Sequence, residues 1–213
     1  MPTHPAMLSW AHRSSGTARK DTRMAKSVYV DRMQCKSSAD AADDIYMVVF
    51  RGGWPEPFTS RVGVVGPGDF WDDFDDDEVW NDDIMVAKYI SNNVYVVMLA
   101  ERDADNDLLD NNAQHLDLWR SQLGVVWRTY MTALRAASLT GGGNWPPNAQ
   151  QLSDAANAVI TGMNGLVGVS FKWPVGDDDA IGKPQRLSIA PGDTPELTFK
   201  GAGGDYRVRF KIK

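Results

Sequence analysis

The 213-residue chain predicts a mainly β domain carrying one inserted α-helical hairpin. Three observations lead there. Runs of β-branched and aromatic residues, bounded by Gly, Pro, Asn and Asp, occur in both the first and the last part of the chain. Between them the apolar period changes from two to between three and four. Only one such helical block exists, which argues against alternating βαβ units.

The elements follow in order. Residues 1–26 mix Pro, Ser, Thr, His, Arg and Lys without an apolar core, and read as a flexible basic N-terminal tail, not a signal peptide. Residues 27–213 read as a single domain with its helical insertion at about 112–165. From Ser27 to Cys35 apolar and polar residues alternate, which predicts a strand. Ile45 to Phe50 is a second strand, stopped by Gly52-Gly53-Trp54-Pro55, and Val62 to Val65 a short third.

Residues 69–83 form an acidic and aromatic run in which Phe70, Trp71, Phe74 and Trp80 are placed to pin a loop to the domain. This loop is either solvated or a contributor to a cation site. Ile84 to Ile90 and Val94 to Ala100 flank Ser91-Asn92-Asn93, which reads as a β-hairpin because Asn tolerates positive φ.

Leu116, Trp119, Leu123, Val126, Trp127, Tyr130, Met131 and Leu134 then recur at helical spacing, up to Gly141-Gly142-Gly143. A second helix is expected from Asn148 to Asn164, with Gly165 placed to end it. Strand patterns return at Val167 to Trp173, Leu187 to Ala190, Glu196 to Lys200 and Tyr206 to Ile212. In the last of these Tyr206, Val208, Phe210 and Ile212 share one face, opposite Arg207, Arg209, Lys211 and Lys213.

Composition limits the function. A net charge of −6 argues against a protein that tracks nucleic-acid phosphates. The single cysteine, Cys35, excludes an intrachain disulfide and sits in an alternating apolar run, so it reads as a core residue. His4, His12 and His115 are the only histidines, too few and too scattered for a histidine metal site or a catalytic triad. No apolar stretch of about 18 residues predicts a transmembrane helix. The chain reads as a soluble protein and not an enzyme. A metal-bound water among the carboxylates is the one catalytic alternative, and no histidine or other base is placed to help it.

The most informative residues are acidic. Asp40, Asp43 and Asp44 lead into the second strand. Asp103, Asp105 and Asp107 follow the strand that ends at Ala100. Asp177, Asp178 and Asp179 form a third group. Carboxylates concentrated at strand ends repel one another unless a cation lies between them, and hard oxygen donors in such number suit Ca2+, which takes about 6–8 oxygens. Asp103 and Asp105, two apart on an extended chain, point to the same side. The other reading is that these are solvated turn aspartates. An EF-hand is a poor alternative: Asp103, Asp105 and Asp107 match its first three ligand positions, but Leu108 stands where its glycine belongs and Gln114 where its glutamate belongs. Gly141-Gly142-Gly143 has no Lys-Ser or Lys-Thr after it and is not a phosphate loop.

Asp43-Asp44-Ile45-Tyr46-Met47-Val48-Val49 resembles the Ser-Asp-Pro-Tyr-Val-Lys-Val signature of the calcium- and lipid-binding domain of the protein kinase C and synaptotagmin type. Val96 to Asp105 is similar to that family's later strand ending in Asp-x-Asp, and Asp179-Ala180-Ile181-Gly182 to its closing Asp-x-Ile-Gly. The three motifs occur in the family's order, over roughly residues 27–107 and 167–213. The resemblance implies an antiparallel eight-stranded β-sandwich whose loops at one end bind Ca2+ and then a membrane surface. Asp44, Asp103, Asp105 and Asp179 match its ligand positions. Ile45 replaces the family's proline, Ser38 stands where its first-loop aspartate is found, and the third loop would hold the helical hairpin.

Two further roles follow from the aromatics. Trp119, Trp127, Tyr130 and Trp145 give the hairpin the character of a protein- or membrane-interaction element, as in some effectors and toxins, or else they pack on the sandwich's outer sheet. Trp54, Trp71 and Trp80, if exposed near one edge, suit a carbohydrate-binding sandwich with structural calcium.

Overall fold

A computed structural model of the chain describes residues 25–38, 43–66, 71, 74–102, 113–170 and 178–213. The basic tail expected over residues 1–26 lies almost wholly outside them. Among the described residues nine strands and two helices follow in order: β1 (Ser27–Ser37), β2 (Ile45–Gly53), β3 (Ser60–Val65), β4 (Val79–Trp80), β5 (Ile84–Lys88), β6 (Asn93–Glu101), α1 (Ala113–Leu139), α2 (Ala149–Ser170), β7 (Asp179–Leu187), β8 (Glu196–Gly201) and β9 (Gly204–Ile212).

Every strand pairing is antiparallel. One sheet runs β4-β1-β9-β8, with β5 also paired to β1; the other runs β3-β2-β6-β7. β4 and β5 take successive stretches of β1, so together they act as one interrupted strand in an eight-position sandwich.

Three layers result. Between the sheets lies a first core that includes Val30, Met33, Ile45, Met47, Leu99, Phe199, Tyr206 and Phe210. The opposite face of the second sheet packs on the helices through Tyr46, Val48, Phe50, Val96 and Met98, against Trp119, Leu123, Trp127, Met131, Val159 and Met163. β2 and β6 are therefore covered on both faces, which is why their sequences are continuous apolar runs. β1 and β9 have one outward face and alternate. On that outward face Asp31 accepts hydrogen bonds from Arg209 (2.9 and 3.2 Å) and pairs with Lys211 (3.3 Å), while Asp83 pairs with Lys211 (2.6 Å) and Lys213.

Local chemistry fixes the helix ends. Asn148 caps α2 by a reciprocal pair: Gln151 N donates to Asn148 Oδ1, and Asn148 N to Gln151 Oε1, both at 2.9 Å. α1 stops at Gly141, whose φ of 78° suits glycine, while Gly142 N reaches back to Ala137 O at 2.9 Å. Trp127 seats the hairpin on β2. Its Nε1 donates to Gly53 O at 2.9 Å, and its ring lies where a Cβ on Gly52 would approach to 2.6 Å.

Three expectations need correction. Ser91-Asn92-Asn93 does not close a hairpin: β5 belongs to the first sheet and β6 to the second, so this segment carries the chain across. The Tyr95 hydroxyl supports the crossing, accepting from Ile90 N (2.8 Å) and donating to Lys88 O (3.1 Å). Gly165 does not end α2, which continues to Ser170 because Met163 and Leu166 keep the helical spacing that packs on the sheet; Val167 to Ser170 is thus helix, not strand. The strand expected at Leu187 to Ala190 lies upstream as β7 and ends at Leu187. Its register shifts opposite Val97 and Leu99, and the irregularity takes in Gly182 and Pro184, which cannot donate a ladder hydrogen bond.

Candidate functional site

Among the described residues, members of the first and third acidic groups lie at one end of the second sheet, beside Glu101 and Arg102 at the end of β6. Ile45 stands opposite Glu101, and Glu101 opposite Asp179. Arg102 N extends the ladder by donating to Asp44 O at 2.8 Å. Asp44, Glu101 and Asp179 therefore lie at neighbouring strand termini, on strands about 4.8 Å apart.

Each group differs in environment. Asp43 is wholly buried, bridges its backbone to Phe74 (3.1 and 2.9 Å), and accepts the Tyr206 hydroxyl on Oδ2 at 2.5 Å. Burial, followed by the Asp43 carboxylate, pushes the Tyr206 phenol far above its ordinary value. Cys35 touches the same phenol, and burial pushes its thiol up, so it is an inert core residue. Asp178 is also wholly buried and accepts the Tyr46 hydroxyl at 2.7 Å. Tyr46 faces the helices, whereas Tyr206 faces the core between the sheets, so the second sheet separates Asp43 from Asp178. Asp44 pairs with Arg102 at 2.6 Å, both side chains about a quarter exposed. Asp179 is exposed.

Among the described residues no three His, Cys, Asp or Glu side chains gather closely enough to hold a metal ion. Asp40, Asp103, Asp105, Asp107 and Asp177 lie outside the described residues. The described aspartates alone do not form a calcium cage: two are engaged by phenols and one by a guanidinium.

Tyr46, Tyr206 and Arg102 are the residues that sequence reasoning missed. The tyrosines were read only as apolar-face positions, although a buried phenol needs a polar partner. Arg102 was legible as the one cation within the second acidic group.

The aromatic residues are also placed. Trp119 and Trp127 are wholly buried and present no surface to a partner. Tyr130 is half-buried. Trp145 packs edge-on to Trp54 (6.1 Å) and Phe58 (5.8 Å), with the Arg135 guanidinium 5.0 Å from its ring centre, and so docks the interhelical turn on the β2–β3 connection. Trp71 is wholly buried, edge-on to Trp80 at 6.0 Å, so Trp54, Trp71 and Trp80 form no exposed sugar-stacking platform. Among the described residues no helix is long and apolar enough to cross a membrane.

No protein-family model matches the chain, and neither a curated protein nor a solved structure matches it significantly.

Proposed function

We propose that the chain is a calcium-binding β-sandwich module whose acidic end takes up Ca2+ and through it engages a membrane surface or protein partner. The observation that carries this reading is the register that brings Asp44, Glu101 and Asp179 to adjacent strand termini. The segments bearing Asp40, Asp103, Asp105, Asp107 and Asp177 adjoin those termini in sequence. Asp179 and Asp44 are the described carboxylates best suited to a cation, since Asp43 and Asp178 are buried under phenols. Arg102 competes for Asp44. The fold-family resemblance supports the same end of the sandwich.

Calorimetric titration of EDTA-stripped protein with Ca2+, together with thermal melts, tests the reading. At a calcium concentration 100 times Kd the stabilisation is about 2.7 kcal/mol. Asp103→Asn with Asp105→Asn should abolish the calcium response while leaving the metal-free protein at least as stable, because like-charge repulsion is relieved. Arg102→Gln should tighten calcium binding by removing the guanidinium that pairs with Asp44. Identical melting temperatures with EDTA and with millimolar Ca2+ would sink the proposal.

A further inference from the structure

At the other end of β2, roughly 20 Å along the strand from Ile45, the edges of the two sheets part. Here β3 borders the second sheet and β5 the first. The opening is a cleft of about 330 Å³ with Val49, Val86 and Ile90 among its walls. Gly63 helps to create it: the glycine stands opposite Val49 in the β2–β3 register, and a Cβ there would meet no atom within 4 Å. This volume falls at the lower end of the roughly 300–1,000 Å³ typical of small-molecule sites.

Three cations line the same cleft: Arg51, Arg61 and Lys88. Arg51 and Arg61 are direct cross-strand partners, an arrangement that costs stability for like charges. Arg51 is held in place, its Nη1 donating to Lys88 O at 3.1 Å beside the Tyr95 hydroxyl on the same carbonyl. Burial pushes its guanidinium down from the ordinary value, and the charge of Arg61 adds to this against an opposing effect of Tyr95. Among the described residues no carboxylate forms an ion pair with any of the three. The basic face of β9 is different, because there Asp31 and Asp83 answer Arg209, Lys211 and Lys213. The chain carries 28 acidic residues, yet among the described residues none pairs with these three cations.

We propose that this cleft binds a small amphiphilic oxyanion: a carboxylate or phosphate held by Arg51, Arg61 and Lys88, on an apolar body seated against Val49, Val86 and Ile90. Guanidinium forks match planar and tetrahedral oxyanions through paired hydrogen bonds. The apolar walls select against a bare inorganic ion. A peptide adding as a strand to β3 is disfavoured, because Arg120 Nε already donates to the outward carbonyl of Val62 at 3.4 Å.

Titration of the full chain with octanoate, octyl phosphate, octanol and inorganic phosphate is the test. One or both of the octyl anions should bind saturably and more weakly as salt is raised. Octanol and inorganic phosphate should bind at least about tenfold more weakly, since each lacks one half of the recognition. Tighter octyl phosphate identifies a phosphate ligand; equal or tighter octanoate identifies a carboxylate. Arg61→Gln should weaken binding by about tenfold or more. Gly63→Val places a β-branched, strand-compatible side chain where a Cβ meets no atom within 4 Å, so it should abolish binding at an unchanged or raised melting temperature. The proposal is overturned if neither octyl anion saturates below about 10 mM, if Gly63→Val binds like the parent, or if only an acidic peptide binds.

Discussion

Tyr206→Phe is the sharpest probe of the buried polar chemistry at the acidic end. The substitution removes one hydroxyl from a side chain with 0% exposure, and that hydroxyl is a 2.5 Å donor to Asp43, also 0% exposed. Water cannot replace it without opening the core. A hydrogen bond to a charged group contributes about 1.5–3 kcal/mol, so losing this one should cost about 2–3 kcal/mol. For a domain of this size that is a fall in Tm of about 4–12 °C.

Urea unfolding followed by tryptophan fluorescence measures the loss directly. A double-mutant cycle with Asp43→Ala isolates the pair, whose coupling should exceed about 1 kcal/mol. The alkaline limb gives an independent reading. An unfolded tyrosine titrates near pH 10, and the Tyr206 phenol is raised above that in the fold. The stability it provides is therefore complete below about pH 10 and is lost as pH rises beyond it, by about 1.4 kcal/mol per pH unit. Tyr95 and Tyr130 are shifted up as well, chiefly by burial, and add to the same limb. The Tyr206→Phe variant should lose stability less steeply above pH 10, by one proton. Additive single mutants, or an unchanged alkaline slope, would refute the reasoning.

Other substitutions test the backbone. Gly182→Ala should destabilise by several kcal/mol or prevent folding, because φ is 77° there and a Cβ would come within 2.8 Å of Lys200 O; circular dichroism melts report it. Ala202→Gly should stabilise by about 0.5–1 kcal/mol in denaturant titration, since Ala202 holds a left-handed φ of 46° in the two-residue β8–β9 turn. Asn148→Ala removes the cap of α2 and should cost about 1 kcal/mol, with faster hydrogen exchange confined to the first turn of that helix.

Most strands were legible in the sequence. Alternation in Tyr206 to Ile212 marked one face of that strand as apolar, and the unbroken runs at Ile45 to Phe50 and Val94 to Ala100 marked strands, which the structure shows covered on both faces. The helical stripe named the residues that fill the second core, with Trp119 and Trp127 at its centre. Strand partnership was not legible, because Ser91-Asn92-Asn93 suits a hairpin and an inter-sheet crossing equally well by local chemistry. Nor was β7, whose Gly182-Lys183-Pro184-Gln185-Arg186 shows no period; its place is set by pairing with β6. At the acidic end the sequence marked the carboxylates but not their partners. The partners of Asp43 and Asp178 come from 163 and 132 residues away, beyond the reach of spacing.

The chain's long-range pairings also bear on how the protein folds. β6 and β7 are neighbours in one sheet, yet the whole helical hairpin lies between them in sequence, and β1 pairs with β9 across almost the entire described chain. Such contacts close large loops, and high contact order slows folding. The β2–β3 and β8–β9 hairpins and the α1–α2 pair need only short closures. The helical layer is seated on the same sheet that β7 joins: Trp127 rests on Gly52 and Gly53, and α2 packs against β6 and β7. The β1–β9 seam, where Ser27 and Lys213 exchange both backbone hydrogen bonds (2.8 and 3.0 Å), closes the longest loop and so carries the largest closure entropy.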